Sequence, residues 1–217
     1  MCGIAGIISK HINNPEQQIK LCTDALSHRG PEDEGFYFNG AKTIAFGHRR
    51  LSIIDLSQAA KQPMSYAGRY HIIHNGELYN YLELRIELKS KGYRFHTDSD
   101  TEVILVAYAA YGADCLQHFD GMFAFAIWDE QEQTLFAARD RLGEKPFFFC
   151  YEENQLFFAS EMKALWQAGI KKEINRRLLY NFLTIDYTSN PYNPQETFYQ
   201  GIQKLPAASF LHCPIIN

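Results

Sequence analysis

The segment GMFAFAIWD, residues 121–129, begins a run of short apolar segments that decides the fold. It is followed by TLFAARD (134–140), KPFFFCY (145–151) and QLFFASE (155–161), with charged or Gly/Pro turns between them. Short apolar and aromatic runs bounded by turns predict an antiparallel meander. Because the apolar residues within each run are nearly continuous, we expect both faces of the sheet to be covered.

Helices and further strands precede this run. Residues 2–8, within MCGIAGII, read as a buried strand, and residues 43–48 and 69–74 are strand-like. Apolar residues at helical spacing predict helices over 15–27, 78–91 and 101–111, the last with Ser99 or Asp100 as its N-cap. Helices combined with antiparallel strands indicate a layered arrangement of helices and sheets.

Composition excludes several classes of protein. Of the 217 residues, 46% are hydrophobic and 21% charged, which excludes wholesale disorder. The net charge of -4 and the lack of any Lys/Arg cluster argue against a nucleic-acid partner. No apolar run approaches the roughly 20 residues that span a bilayer, so we expect no membrane association and no export signal. Five scattered cysteines without a C-x-x-C pair argue against a zinc site or a disulfide framework and favour the cytoplasm.

The cysteine at position two allows two hypotheses. Cys2 is either a small buried hydrophobe at the start of a strand or a nucleophile whose own backbone amine serves as its base. Its position does not decide between them.

The motif HNGELYN, residues 74–80, also has two interpretations. Asn75-Gly76 is a strong hairpin signal. The residues from Glu77 onward, however, are predicted to be helical. A strand-to-helix junction would expose backbone N–H groups, and the Asn75 amide with the Gly76 N–H could form an oxyanion hole.

Charged residues in two other motifs are equally ambiguous. In GHRRLSIID (47–55), Arg50 is either a surface arginine or a bidentate ligand for a carboxylate. In TDSDTEVI (97–104), Asp100 is either the helix N-cap or a partner for a substrate ammonium group. Glu77 has the same ambiguity, because acidic residues favour the first turn of a helix.

The remaining polar motifs are interpreted structurally. SHRGPEDEG (27–35), which contains His28 and Arg29, is typical of a charged surface turn. In FAARDRLGEKP (136–146), the charges at 139–141 are expected to pair with one another at a hairpin end. His71 and His74 are three residues apart and would point to opposite faces of a strand, so we expect no metal site.

Taken together and in order, these motifs resemble a known family. The order MCGIAG, HRGPEDEG, GHRRLSIIDLS, HNGELYN, SDTEVI, FDGMFAFAIWD, ARDRLGEKP and ASEMKAL resembles the glutaminase domain of glutamine-hydrolysing asparagine synthetases. These are class II glutamine amidotransferases of the N-terminal-nucleophile hydrolase group. The resemblance implies an α+β fold, a four-layer αββα sandwich of two packed antiparallel sheets covered by helices. It also implies a glutamine amidotransferase domain over residues 1–187, followed by a linker and the truncated start of a synthetase domain over 188–217.

The resemblance assigns a role to each site residue. Met1 would be removed, so that Cys2 becomes the N-terminus, and Cys2 would attack the side-chain amide of glutamine with its free α-amine as base. Asn75 and Gly76 would hold the oxyanion. Arg50 would bind the α-carboxylate, and Glu77 and Asp100 the α-ammonium. The substrate pocket would also be lined by the segment Leu51, Ser52, Ile53 and Ile54.

The resemblance further implies partners and limits. No cofactor is expected in this chain, and no metal. ATP and Mg would be needed only by a synthetase domain that amidates aspartate, whose pyrophosphate loop is absent from this sequence. The expected partners are glutamine and a synthetase domain or subunit, with a homodimer left open. Two alternatives also stay open: a glutaminase serving another acceptor, and a non-catalytic glutamine-binding module.

Overall fold

Two antiparallel sheets form the centre of the computed structural model, which describes residues 1–51, 54, 55 and 57–215. The strands are β1 (Gly3–Ile8), β2 (Asp33–Phe38), β3 (Ile44–Arg50), β4 (Met64–Tyr66), β5 (Tyr70–Leu78), β6 (Gly121–Asp129), β7 (Thr134–Arg139), β8 (Phe148–Glu152), β9 (Gln155–Ala159), β10 (Gln203–Lys204) and β11 (Phe210–Pro214). One sheet has the order β10-β8-β9-β1-β3-β2 and the other the order β11-β7-β6-β5-β4. The helices are α1 (Pro15–Asp24), α2 (Tyr81–Ser90), α3 (Asp100–Tyr111), α4 (Met162–Gln167) and α5 (Arg176–Ile185).

Three apolar clusters hold four layers together. The central cluster fills the space between the sheets, with Ile4 and Phe46 from one sheet meeting Ile73 and Trp128 from the other. A second cluster packs α2 and α3 against the sheet that contains β5 and β6. A third packs α1 and α4 against the sheet that contains β1 and β3. The layer order is therefore helix, sheet, sheet, helix, and the predicted α+β sandwich is confirmed.

The continuous apolar character of the 121–160 strands follows from this arrangement. Each of them is covered on one face by the other sheet and on the opposite face by helices. They do not form one meander, however. The β6–β7 pair belongs to one sheet and the β8–β9 pair to the other, so the predicted single meander is wrong at the point where the chain crosses between sheets.

The predicted strand-to-helix junction at Asn75-Gly76 is also wrong. Strand β5 continues through both residues and pairs with β6 in continuous register from Tyr70↔Asp129 to Leu78↔Gly121. Helix α2 begins only at Tyr81. Cross-strand pairing therefore extends the strand past the Asn-Gly pair, and this dipeptide makes neither a hairpin turn nor a helix start.

Two strands that follow residue 187 belong to the same sandwich. Strand β10 pairs with β8 at the edge of one sheet, and β11 pairs with β7 at the edge of the other. The division of the chain at residue 187 stays a prediction. Within the described residues, no helix combines the length and the apolar character needed to cross a membrane.

Candidate active site

A cleft opens where the start of β1 in one sheet meets β5 in the other. Its empty volume is about 640 Å³, part of which is open to solvent. All of the predicted site residues that the structure describes line this cleft: Cys2, Arg50, Leu51, Ile54, Asn75, Gly76, Glu77 and Asp100. The other two, Ser52 and Ile53, lie outside the described residues. The fold thus gathers residues that are up to 98 positions apart in sequence into one depression.

Cys2 lies at the floor of the cleft, directly before β1. Its thiol is 3.7 Å from the carbonyl oxygen of Leu51, to which it donates. Burial raises the pKa of this thiol, although the Leu51 bond, the nearby N-terminal charge and Arg50 lower it in part. The thiolate is the nucleophilic form of cysteine, so the half-buried Cys2, with its raised pKa, requires a base beside it in order to react.

The backbone around Cys2 is fixed by two other segments. The Nε of Arg29 donates to the carbonyl oxygen of Cys2 at 2.8 Å, and the Nη1 of the same guanidinium forms an ion pair with Glu161 at 2.9 Å. The hydroxyl of Ser160 accepts from the N–H of Ile4 at 3.0 Å. The side chain of Arg29 is only 9% exposed, so the predicted assignment of this segment to a charged surface turn is wrong for Arg29.

Glu161 is the anion that holds Arg29 in place. Burial raises the pKa of Glu161, but hydrogen bonds from Arg29, Lys163 and His28 outweigh this effect and lower the pKa to about 2. The carboxylate is therefore ionised throughout the neutral range, and Arg29 has a charged partner under working conditions.

Asn75 is the most unusual polar group of the cleft. It is fully buried in β5, at the position paired with Ala124. Neither its Oδ1 nor its Nδ2 has a hydrogen-bond partner among the described residues. An unpaired buried amide costs about 1–3 kcal/mol, so such groups require an explanation. A ligand oxygen in the cleft would satisfy the Nδ2 donor.

Gly76 allows two strands to approach closely beside this amide. A Cβ built at position 76 would lie 2.1 Å from the carbonyl oxygen of Met122 and 2.7 Å from the Cα of Phe123. Any other residue would push β5 and β6 apart at the cleft wall. The sequence singled out Gly76 for its N–H, whereas the structure shows that the absence of a side chain is also required.

Arg50 provides a positive charge on the cleft wall. It is buried, and its guanidinium donates to the carbonyl oxygens of Ser57, at 3.1 Å, and of Asp55. Across the described part of the chain, no carboxylate lies within ion-pair distance of it. The guanidinium is therefore oriented by neutral oxygens and keeps its charge available for an anionic ligand.

Two carboxylates face the same cleft. Asp100 accepts from the N–H of Leu78 at 2.9 Å and from the hydroxyl of Ser99 at 3.4 Å. Ser99 itself is the N-cap of α3, since its hydroxyl accepts from the N–H of Thr101, so the capping role falls to Ser99 and leaves Asp100 facing the cleft. Glu77 is half-buried, and its carboxylate has no partner within the residues described.

The structure adds polar residues that sequence reasoning did not select. His74 contacts the hydroxyl of Thr101 at 3.0 Å, and this hydroxyl in turn accepts from Gln62 at 3.3 Å. Burial lowers the pKa of His74, so its imidazole is neutral in the cleft. Lys145 and Met1 also line the cleft, with the Lys145 ammonium 3.3 Å from the Met1 sulfur. Three of these polar residues lie within motifs quoted above: His74 in HNGELYN, Thr101 in TDSDTEVI and Lys145 in FAARDRLGEKP.

His71 lies away from this site. Its ring stacks on Tyr37 with the centroids 3.8 Å apart and contacts Ser65, whereas His74 contacts Thr101. The two histidines therefore belong to different surroundings, as their spacing predicts. Over the residues that the structure describes, no group of three or more potential ligands could hold a metal ion.

The loop that carries Lys145 is ordered by a buried aspartate. Asp140 accepts four backbone N–H groups, those of Phe123, Leu142, Glu144 and Lys145. Arg139 and Arg141 donate to backbone carbonyl oxygens. The predicted pairing of these three charges with one another is therefore wrong, because the backbone of a tight crossover loop needs their donors and acceptors.

Comparisons with known proteins agree with the fold and the cleft. Residues 1–215 match the family model described as a glutamine amidotransferase domain. The chain is 41% identical over 196 residues to asparagine synthetase [glutamine-hydrolyzing] 1 of Bacillus subtilis (strain 168), a match that covers 88% of this chain and 30% of the relative. It is also 41% identical over 217 residues to asparagine synthetase [glutamine-hydrolyzing] 3 of the same organism, covering 97% of this chain and 34% of the relative. The chain thus spans about a third of the length of these relatives.

A solved structure supports the same conclusion. The glutamine phosphoribosylpyrophosphate amidotransferase of B. subtilis superposes with a TM-score of 0.66 at 25% identity, over 77% of this chain and 44% of that one. The predicted N-terminal-nucleophile hydrolase fold is confirmed by this likeness and by the paired antiparallel sheets. The chain belongs to the family of glutamine amidotransferase domains, and within it is homologous to the amidotransferase part of asparagine synthetases.

Proposed function

We propose that this chain hydrolyses glutamine to glutamate and ammonia through a thioester on Cys2. The observation that carries the proposal is the unpartnered amide of Asn75, buried in the same cleft as the Cys2 thiol. A structural asparagine would find partners within the protein, whereas this amide finds none among the described residues. The tetrahedral oxyanion of an amide hydrolysis is a ligand that would satisfy its donor.

The cleft matches the charges of an α-amino acid. Arg50 would bind the α-carboxylate through its remaining N–H groups, because no acidic side chain in the described residues occupies it. Glu77 and Asp100 would bind the α-ammonium group from the opposite side. A simple amide lacks both head-group charges, so we expect it to be a poor substrate.

The chemistry follows from the position of the thiol. After removal of Met1, the α-amine of Cys2 would take the thiol proton, and the sulfur would attack the side-chain carbonyl carbon of glutamine. Asn75 and the N–H of Gly76 would stabilise the oxyanion. The amine would then pass the proton to the leaving ammonia, and water would cleave the thioester to glutamate. Burial of the thiol makes the adjacent base necessary rather than incidental.

The fate of the ammonia is inferred from the relatives. Both asparagine synthetases are about three times as long as their match with this chain. We infer that the ammonia serves the amidation of aspartate by an ATP-dependent synthetase domain or subunit, and that ATP and Mg are needed only there. We also place this function in the cytoplasm. The chain alone is then at most a glutaminase.

Intact mass spectrometry tests the proposal. The purified chain is measured with and without a diazoketone analogue of glutamine, which alkylates a nucleophile that binds glutamine. We expect a mass that lacks Met1 and a single adduct on Cys2, and a Cys2→Ala variant that folds but takes no adduct and releases no glutamate. Retention of Met1, or an adduct on another cysteine, would refute the mechanism.

A further inference from the structure

Lys145 is a buried cation to which the proposed mechanism assigns no role. The residue is only 5% exposed and lines the cleft beside Asn75. Its ammonium contacts the sulfur of Met1 at 3.3 Å. Among the described residues, no carboxylate lies within ion-pair distance of it. A thioether is a weak acceptor, so this contact compensates poorly for burial of a full charge.

Hydrogen bonds to the backbone of Lys145 fix its position in the fold. Its N–H donates to the buried carboxylate of Asp140 at 3.0 Å, and its carbonyl oxygen accepts from Arg139 at 2.6 Å. Asp140 in turn fixes the whole crossover loop through four backbone N–H groups. The fold therefore holds this ammonium at the N-terminus of the chain at a cost in desolvation free energy.

The weak partner of Lys145 is the residue that the proposed mechanism removes. The sulfur of Met1 and the nitrogen of Cys2 are joined through the methionine side chain, over a distance of roughly 6 Å at most. Loss of Met1 would therefore leave the ammonium facing the place where the new terminal amine of Cys2 lies. This inference rests on the proposed function, because it requires a free Cys2 amine.

We propose that Lys145 is the positioning residue whose positive charge keeps the terminal amine of Cys2 in its unprotonated, basic form. A neighbouring cation disfavours a second positive charge, so an amine beside Lys145 gives up its proton at lower pH. The unprotonated amine can then take the thiol proton at neutral pH.

The other charges around the N-terminus would not replace this one. Arg29 donates to the carbonyl oxygen of Cys2 but is paired with Glu161 at 2.9 Å. Arg50 would be paired with the substrate carboxylate, and Glu77 and Asp100 with the substrate ammonium. His74 is neutral, since burial lowers its pKa. With glutamine bound, Lys145 is the unpaired cation of the cleft among the residues described.

The size of the effect can be worked out from the distances. The contact of 3.3 Å and the roughly 6 Å of methionine place the ammonium at most about 10 Å from the amine. At an effective dielectric constant of about 20, a unit charge about 6–10 Å away moves a titration by about one to two pH units.

The pH dependence of kcat for glutamine hydrolysis, which reports the ionisations of the complex with glutamine, tests the proposal. We expect the acidic limb of the profile to move up by about one to two pH units in Lys145→Met, and to return towards the wild-type position in Lys145→Arg. Lys10→Met is the matched control, because it removes the same charge from an exposed position beyond the far end of β1. Its limb should coincide with that of the wild type. A Lys145→Met limb that also coincides with the wild type would overturn the proposal.

A second measurement decides the case in which Lys145→Met has no measurable turnover. Alkylation of Cys2 by iodoacetamide is followed against pH by peptide mass spectrometry, with the partly exposed Cys213 as the internal standard. An upward shift for Cys2 alone supports the proposal, and an unchanged Cys2 profile overturns it. Failure of the proposed function has a different signature: the wild type and Lys10→Met would both lack turnover and diazoketone labelling, while the alkylation profiles would still compare Lys145→Met with the wild type.

Discussion

Replacing Asn75 by leucine should make the protein more stable and inactive at the same time. Leucine has nearly the shape of asparagine but no polar atoms, so it fills the same space in β5. Asn75 is fully buried, and both polar atoms of its amide lack partners in the described residues. The substitution therefore removes a desolvated amide without breaking any hydrogen bond of the free protein.

The magnitude follows from the cost of an unsatisfied buried group. Such a group costs about 1–3 kcal/mol, and part of this gain is lost because methyl groups are slightly larger than the amide atoms. We expect the free energy of unfolding to rise by about 1–2 kcal/mol. For a domain of this size, this corresponds to a Tm higher by about 2–8 °C. Loss of an oxyanion donor should lower kcat by roughly 10²–10³-fold.

The control is the same substitution at an asparagine whose amide is satisfied. Asn39 is also buried, but its side chain makes four hydrogen bonds of 2.8–3.5 Å, with Thr43, Ile44 and Glu130. Asn39→Leu leaves these groups unpaired and should lower stability by about 2–4 kcal/mol. Urea unfolding gives both stabilities, and glutamate release gives kcat for Asn75→Leu.

Two results would refute the reasoning. If Asn75→Leu loses stability as Asn39→Leu does, the amide has a partner in solution and is not kept free for a ligand. If the variant is more stable but retains wild-type kcat, the amide is unpaired for a reason other than oxyanion binding.

Three further predictions concern the cleft and its supports. Gly76→Ala should lose about 2–3 kcal/mol in urea unfolding, because the added Cβ would meet the carbonyl oxygen of Met122, whereas Gly40→Ala, where a Cβ meets nothing within 4 Å, should change little; equal stabilities would contradict this. Arg50→Lys should lower kcat/KM for glutamine by about 10–100-fold through KM, with Arg49→Lys, which pairs with Asp24 outside the cleft, as a near-neutral control; an unchanged KM would exclude Arg50 as the carboxylate ligand. Glu161→Gln should lower the free energy of unfolding by about 1–2 kcal/mol at pH 7. Because the pKa of Glu161 in the folded protein is lowered to about 2, this difference should be present above about pH 4.5 and disappear as the pH falls towards 2. A difference that persists at low pH would show that the carboxylate charge is not its cause.

The spacing of apolar residues along the sequence correctly predicted those helices and strands for which it matched one type of secondary structure. The strand at residues 2–8 and the helices near 15–27 and 101–111 are present, because their apolar spacing matches the face that they bury. The Asn-Gly pair was misplaced for the opposite reason. Its turn propensity is overridden by continuous pairing of β5 with β6, which no local window of sequence contains.

The site was predictable only through the order of its motifs. Individually, Arg50 and Asp100 allowed a surface or capping interpretation. In the structure, Arg50 is buried and donates to the carbonyl oxygen of Ser57, while Asp100 accepts from the distant N–H of Leu78. Arg29 was placed at the surface because its motif is strongly charged, yet it anchors the carbonyl oxygen of Cys2 from 27 positions away. Lys145 was not selected at all. Its significance depends on burial and on the lack of a charged partner, which are properties of the folded chain.

The three groups that local rules fail to explain share one physical property. The Cys2 thiol has its pKa raised by burial, the Asn75 amide is unpaired within the described residues, and Lys145 has a thioether where a buried cation needs an anion. The buried amide and the buried cation cost folding free energy, and burial of Cys2 makes its nucleophilic thiolate harder to form, so a protein without a ligand gains nothing from these features. Their costs are offset in one situation, when a reacting amide supplies an oxyanion to Asn75 and an electrophilic carbon to the sulfur while Lys145 keeps the base neutral. Because the same event explains three separate deficits in one cleft, the cleft is better understood as a preorganised site for amide cleavage than as a pocket that only binds glutamine.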